Sequence, residues 1–248
     1  LSVIMPGYNE GERVLHNLLQ TAKELEQFAS DFEIVFVDDG STDNTCEQAA
    51  AAALQDARIK VLQSKTNCGK GSALRLGTKE AIGEYIAFLD ADLDLPAYQL
   101  QYFLSALKEQ DADVAIGCKQ HKDSKVEYPF SRRFISFGYY LLLLVLFRLN
   151  VHDTQTGIKL FKAKTIKPVM QIILAKRFAF DIEVLAICNR HKKKIIELPV
   201  TLVYGRSNKW GRIRLKDIFV TAWDTAAIFY RLKILKYYDK QGELFNDK

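Results

Sequence analysis

Five apolar residues of strand length, Tyr85-Ile86-Ala87-Phe88-Leu89, run straight into two carboxylates, Asp90-Ala91-Asp92. An unbroken apolar strand is covered on both faces, and acids at its end are poor core material. Ligands of open α/β sheets bind in the crevice outside the carboxyl ends of the strands. The run therefore calls for a layered α/β sheet with a polar crevice where it stops. Two acids one residue apart in such a place suit a divalent cation that bridges to phosphate oxygens. An isolated Asp-x-Asp is also compatible with a solvated acidic turn, so the rest of the chain has to decide.

The first 117 residues alternate strand and helix signals. Short apolar runs at 2–5, 33–37, 58–62, 84–89 and 113–117 read as strands, and helical patterns lie at 12–28, 43–54, 70–82 and 98–109. This alternation predicts an α/β fold with a mainly parallel, doubly wound sheet. With 248 residues, 48% of them apolar, the chain can build one large domain or a domain with an appendage. Cys46, Cys68, Cys118 and Cys188 are far apart and form no CxxC. They read as reduced cytosolic thiols, and the absence of a signal-peptide pattern fits that expectation.

Charge divides the chain. Residues 1–114 carry 9 Lys+Arg and 19 Asp+Glu, while residues 115–248 carry 26 and 11. The basic half suits an anionic membrane, a phosphate substrate or nucleic acid. It contains the nine-residue apolar run 139–147, flanked by Arg132, Arg133 and Arg148. A bilayer-spanning helix needs about 20 apolar residues, so this helix either packs in the core or lies in a membrane interface. Near the end, Leu215, Phe219, Ala222, Ala226 and Phe229 recur at helical spacing, with Asp217, Thr221, Asp224 and Thr225 opposite and basic residues at both ends. That predicts a basic amphipathic helical segment over 211–248.

Three loops precede the acid pair. Pro6-Gly7-Tyr8-Asn9-Glu10 follows the first strand; Tyr8 can stack on a base and Glu10 can accept hydrogen bonds from base or ribose, although a plain Pro-Gly turn explains the loop as well. Asp38-Asp39-Gly40-Ser41-Thr42-Asp43 follows the second strand; Asp39 is placed for a base N–H or a sugar hydroxyl, and Ser41, Thr42 and Asp43 are good helix caps. Asn67-Cys68-Gly69-Lys70-Gly71 opens a helix, so Lys70 can meet phosphate or base at its N-terminus. The first glycine of a Walker A motif is missing, and the loop follows the wrong strand for a dinucleotide fingerprint.

These motifs, in this order, resemble the GT-A fold of the family 2 glycosyltransferases. The resemblance implies that Pro6, Tyr8, Glu10, Asp39, Lys70, Asp90, Ala91 and Asp92 hold a nucleotide-sugar, with Asp90 and Asp92 as ligands of Mg²⁺ or Mn²⁺. The second half is similar to the polyprenyl- and dolichyl-phosphate hexosyltransferases, the group containing the dolichyl-phosphate mannose and glucose synthases. It carries Arg132 and Ser136 four apart on a predicted helix, Asp153-Thr154-Gln155-Thr156-Gly157, Phe180-Asp181-Ile182-Glu183, Glu197-Leu198-Pro199-Val200 and Arg206-Ser207-Asn208-Lys209. Where mannose synthases tend to have Gly-Ser-Arg this chain has Gly117-Cys118-Lys119, and where they have Gln after the metal motif it has Leu93-Asp94. The Asp-Thr-Gln and Phe-Asp-x-Glu stretches look closer to the glucose synthases.

The resemblance implies an inverting, metal-dependent transfer of a hexose from a UDP-glucose or GDP-mannose type donor to a polyprenyl or dolichyl phosphate. Lys119, Arg132, Ser136, Arg206 and Lys209 are the candidates for clamping acceptor and donor phosphates, although any single surface cation is ordinarily just solvated. Asp153 is a candidate for orienting the sugar or a clamp residue, or for capping a turn. Asp90, Asp92, Asp153 and Arg132 form the catalytic set, and His152, Asp181 and Glu183 are expected to be structural. Residues 1–210 are expected to form the catalytic domain (1–117 for nucleotide, 118–210 for acceptor), followed by the helical segment 211–248. The expected location is the cytoplasmic face of a membrane, peripheral or monotopic, with no nucleic-acid partner. Two other readings stay open: a family 2 enzyme acting on a sugar hydroxyl, which needs a general base such as Asp153, and a non-catalytic membrane- or nucleic-acid-binding module.

Overall fold

The computed structural model describes residues 1–126, 130–176, 179–203 and 223–240, with backbone alone for 130–137. Its strands are β1 (Ser2–Gly7), β2 (Glu33–Asp38), β3 (Ile59–Gln63), β4 (Tyr85–Leu89), β5 (Val114–Cys118), β6 (Ile158–Lys162) and β7 (Ile195–Pro199). Its helices are α1 (Arg13–Leu25), α2 (Thr45–Gln55), α3 (Lys70–Glu80), α4 (Gln99–Glu109), α5 (Phe130–Phe147), α6 (Ala163–Ile172) and α7 (Phe180–Arg190). A further helix occupies 223–229 and passes into a π-turn at Tyr230–Ile234.

The strands form one sheet in the order β3-β2-β1-β4-β6-β5-β7. Only β6 runs against its neighbours, pairing antiparallel with both β4 and β5. The chain steps outward from β1 to β2 and β3, then returns to place β4 on the other side of β1. The carboxyl ends of β1 and β4 thus flank the point where the winding reverses, which is where an open sheet leaves a crevice.

Alternate residues divide between two cores, as the two-residue period of a strand requires. Val3, Met5, Ala87 and Leu89 face the layer of α1, α2 and α4, with Leu18, Ala52 and Phe103. Ile4, Ile86, Phe88 and Phe161 face α3, α5, α6 and α7, with Leu74, Phe147, Val169 and Leu185. Two positions further along β4, the same alternation turns Asp90 toward the α3 and α7 side.

Helix α5 does two jobs on opposite faces. Leu143 and Phe147 are buried, whereas Leu141, Leu142 and Val145 are exposed. Arg148 takes a left-handed turn (φ 54°) that ends the helix. Asn189 of α7 donates Nδ2 to the Phe147 and Arg148 carbonyls at 3.2 and 3.1 Å, satisfying groups a helix end leaves free.

The C-terminal helix is rotated from the sequence expectation. Its buried residues are Thr225, Ile228 and Leu232, while Ala226 is exposed. Thr225 tolerates burial because its hydroxyl meets Tyr139 Oη at 3.2 Å. Ile228 and Leu232, four apart, set the packed stripe. Residues 204–222, and with them Arg206, Lys209, Leu215 and Phe219, lie outside the described residues.

Candidate active site

Four loops meet at the β1–β4 crevice and form a cleft of about 500 Å³. It is lined by Pro6, Gly7, Tyr8 and Glu10 after β1, Asp39 after β2, Asn67, Gly69 and Lys70 at the start of α3, and Asp90, Ala91 and Asp92 after β4. Every residue expected to hold the nucleotide-sugar thus lines one cleft.

The floor is built around the acid pair. The Ala91 carbonyl accepts Nδ2 of buried Asn17 on α1 at 2.7 Å. Asp90 donates its N–H to the Gly157 carbonyl at 3.2 Å, continuing the β4–β6 pairing that ends at Leu89 and Ile158. Gly157 lies flat against the Asp90 side chain: a Cβ there would fall 2.3 Å from Asp90 Oδ2 and 2.8 Å from its Cγ. Lys70 Nζ contacts Asp90 Oδ1 at 2.5 Å.

Charge in the cleft is out of balance. Glu10, Asp39, Asp90 and Asp92 share it with Lys70. Surrounding protein, then repulsion from Asp90, pushes the Asp92 carboxyl up to about 6. Burial and then Asp92 raise Glu10 above the usual carboxylate range, against the pull of Arg13. Burial works against the Lys70 ammonium, yet Asp90 and Asp181 hold its pKa above the ordinary lysine value.

This arrangement fits a divalent ion that arrives with a diphosphate. Among the described residues no group of three or more His, Cys, Asp or Glu side chains is placed to hold an ion unaided. Magnesium and similar ions commonly take one or two carboxylates and complete their shell with phosphate oxygens and water. Asp90 and Asp92 would supply the two carboxylates. Ion binding requires Asp92 to be deprotonated, so affinity should strengthen as pH rises through about 6 and fall by up to tenfold per unit below it. Calorimetry of Mn²⁺ with UDP in buffers of different ionisation enthalpy should show proton release near pH 5.5. In the apo-protein the sign is opposite: the raised Asp92 favours folding below its unfolded value near 4, and that contribution is lost as pH rises toward 6.

Asp39 also has partners within the protein. Its two oxygens accept the amides of Cys68 and Gly69 at 2.9 and 2.7 Å, holding the α3 entry loop against β2. It still lines the cleft, with its remaining lone pairs. The capping expectation for Ser41 and Thr42 gives way as well. Asn9 donates its amide to Ser41 Oγ, and its Oδ1 accepts the Thr42 amide. Thr45 Oγ1 accepts the amides of Glu10 and Gly11, both at 2.9 Å. These residues tie the first loop to the second.

Lys119 and Asp153 belong to a separate cluster. Asp153 Oδ2 accepts the Lys119 amide at 3.1 Å, and Glu197 Oε1 accepts the amides of His152 and Asp153 at 2.8 and 3.2 Å. The His152 ring contacts Glu197 Oε2 at 2.6 Å and stacks on Tyr140. Asp153 and Lys119 are not among the residues lining the cleft. Arg132 and Ser136 fall in the first half of α5, one turn apart, with backbone alone described.

Beneath the cleft, buried Lys159 of β6 pairs with buried Asp181 of α7 at 2.6 Å and donates to the Thr156 carbonyl at 2.6 Å. Burial raises the Asp181 carboxyl while Lys159 and Lys70 pull it back. A lone buried charge is far more costly than a pair. Asp181→Ala is therefore expected to destabilise the protein by about 3–5 kcal/mol, and the double change Lys159→Met with Asp181→Leu should recover most of that in denaturant titrations. Sequence reading missed Lys159, Asn17 and the contact surface of Gly157. Two of them carried a signal: a lysine inside an apolar strand and an asparagine on the apolar stripe of α1 both need partners.

The sequence profile described as Glycosyl transferase family 2 matches residues 2–169. The chain is 31% identical over 254 residues to the human dolichyl-phosphate beta-glucosyltransferase, covering 95% of this chain and 76% of that one. It is 30% identical to the dolichyl-phosphate beta-glucosyltransferase of Saccharomyces cerevisiae, covering 81% of this chain and 66%, just under two thirds, of the yeast protein. Among solved structures it is similar to glucosyl-3-phosphoglycerate synthase from Mycobacterium tuberculosis, seen in complex with Mn²⁺, UDP and glucosyl-3-phosphoglycerate. The TM-score is 0.67 at 18% identity, over 92% of this chain and 78% of that one. Mannosyl-3-phosphoglycerate synthase from Rubrobacter xylanophilus gives 0.68 at 14% identity, over 96% and 75%. These likenesses establish the fold as GT-A.

Proposed function

The chain belongs to glycosyl transferase family 2 and is a glycosyltransferase, and from that premise we propose that it moves glucose from UDP-glucose, with inversion, to the phosphate of a dolichol or related polyprenol. The observation that carries the reading is the convergence of Tyr8, Glu10, Asp39, Lys70, Asp90 and Asp92 on one cleft at the sheet's switch point. The likeness to dolichyl-phosphate beta-glucosyltransferases over most of the chain supports glucose and a lipid phosphate as the two substrates.

The acceptor supplies much of its own reactivity. A phosphate monoester has a second pKa of about 6 and is largely dianionic at neutral pH. Its oxygen forms the new bond to the anomeric carbon as the bond to the donor's β-phosphate breaks, and UDP departs with the electron pair. No proton has to be removed, and Asp153, hydrogen-bonded to the Lys119 amide, is not asked to act as a base. The task of the protein is to hold two anions together and stabilise the charge on the leaving diphosphate. Mg²⁺ or Mn²⁺, when bound, neutralises that diphosphate. Asp90 and Asp92 would hold the ion, and Lys70 is the side-chain cation in the same cleft. Tyr8, exposed at the rim, offers a stacking face for the base. Lys119 and Arg132 remain our candidates for the acceptor phosphate, together with Ser136, Arg206 and Lys209.

A lipid acceptor also needs an apolar approach. No described helix is long and apolar enough to cross a membrane. Leu141, Leu142 and Val145 of α5 are exposed, as are Trp223, Tyr230 and Ile234 of the C-terminal helix. The two helices pack together through Phe147 and Phe229. We place the membrane surface on this side, with Arg148 and Lys236 outward for anionic headgroups.

Donor choice tests the reading. In calorimetric titrations with Mn²⁺, UDP-glucose is expected to bind at least tenfold tighter than GDP-mannose. The reverse preference would move the protein to the mannose branch.

A further inference from the structure

Glu183 of α7 is fully buried, is not among the residues that line the cleft, and has its two oxygens filled by two different segments. Oε2 accepts the amides of Leu174 and Ala175 at 3.0 and 2.7 Å. Oε1 accepts Arg231 Nη2 at 3.1 Å and the Tyr238 hydroxyl. Tyr238, fully buried, accepts Arg231 Nε at 3.0 Å in turn. Arg231 sits within the π-turn Tyr230–Ile234, a helix irregularity of the kind that often marks functional sites.

The loop that Glu183 grips is the seat of the Lys70 turn. Gly71 donates its N–H to the Lys176 carbonyl at 2.9 Å. A Cβ on Gly71 would stand 2.8 Å from Phe180 Cβ and 2.9 Å from the Ala175 carbonyl oxygen. Gly71 follows Lys70, whose ammonium rests on Asp90. An unbroken set of contacts therefore runs from the C-terminal helix through Glu183 and residues 174–176 to the cation of the donor cleft. Packing alone does not call for a buried carboxylate with four donors, because apolar residues of similar volume would serve as well or better.

We propose that Glu183 is a positioning residue for the transfer: with Arg231 and Tyr238 it fixes the loop against which the Lys70 turn is set, and so makes the C-terminal helix a working part of the donor site. The proposal rests on the reading of Lys70 as a diphosphate-binding cation.

The test is a double-mutant cycle on the full chain, with UDP plus Mn²⁺ as the probe. Tyr238→Phe and Arg231→Lys are chosen because Glu183→Ala is liable to unfold the protein. Each is expected to weaken UDP about five- to tenfold in the Lys70 background and less than twofold in Lys70→Ala, since coupled residues are non-additive. Equal losses in both backgrounds, or unchanged UDP affinity with only a lowered Tm, would overturn the proposal. Hydrogen exchange without nucleotide gives an independent readout. The Gly71 amide is expected to exchange at least tenfold faster in Tyr238→Phe, with β1 and β2 amides unchanged, and an unaltered Gly71 amide would overturn the clamp. If the wild-type protein does not bind UDP, the functional reading fails instead, and the exchange result alone decides the clamp.

Discussion

Asp92→Ala is expected to lower kcat/KM for sugar transfer by about 10³-fold or more, on the scale of removing a principal electrostatic stabiliser, while leaving the protein as stable or slightly more so. The two effects have one cause. Asp92 sits in a cleft with Asp90 and Glu10, and burial, then repulsion from Asp90, already raises its carboxyl to about 6. In the apo-protein its charge is a cost that folding bears near neutral pH, so neutralising it relieves repulsion. In the loaded protein the same charge would help hold the ion. Asp92→Asn should behave alike, because the amide cannot replace an anionic ligand. Activity measured alongside chemical denaturation checks both halves. A loss of activity accompanied by an equally large loss of stability would point to a structural carboxylate.

Gly157→Ala is the second large effect. Its methyl group would fall on the Asp90 carboxylate, 2.3 Å from Oδ2. The side chain then has to turn away, taking with it its contact to Lys70. Supporting contacts to metal ligands are typically worth 10–100-fold in affinity or activity, and that is the loss expected for Mn²⁺-dependent UDP binding. The stability cost should be modest, about 1–3 kcal/mol as for other overpacked sites, because the displaced group is a side-chain end bordering an open cleft. Titration of UDP with and without Mn²⁺ separates the cases: a deficit seen equally without the ion would mean that the methyl group blocks the nucleotide directly.

The parts of the fold that depend on local pattern were legible in the sequence. Five strands and four helices of the first 117 residues fall close to their expected places because apolar runs and helical periodicity are properties of neighbouring residues. The direction of β6 was not legible. Ile158–Lys162 is short and apolar, and nothing in its pattern tells an antiparallel strand between β4 and β5 from a buried segment of another kind. Lys159 signalled a partner but not that Asp181 would be it, since the pairing is made by the packing of α7 on the sheet. Asp39 shows the same limit on a smaller scale: its type and loop suited a ligand contact, but nothing local shows that the backbone amides of Cys68 and Gly69, nearly thirty residues away in the chain, also bind its two oxygens. The helix face at 223–229 was misread because Thr225 is polar by type and buried by virtue of Tyr139, a contact invisible to periodicity. Glu183 matches the expectation of a structural carboxylate, but that its partners lead to the cleft is visible only in the fold.

Delivery of the sugar to a lipid phosphate, rather than to a sugar hydroxyl, is what distinguishes the proposed reaction. The most direct measurement uses radiolabelled UDP-glucose, dolichyl phosphate and Mn²⁺, followed by organic extraction, with Asp92→Ala run in parallel. Label is expected in the lipid phase for the wild-type protein, in a form released by mild acid, and none for the variant. Label confined to the aqueous phase, with UDP released only when a saccharide is added, would contradict it and place the acceptor among sugar hydroxyls.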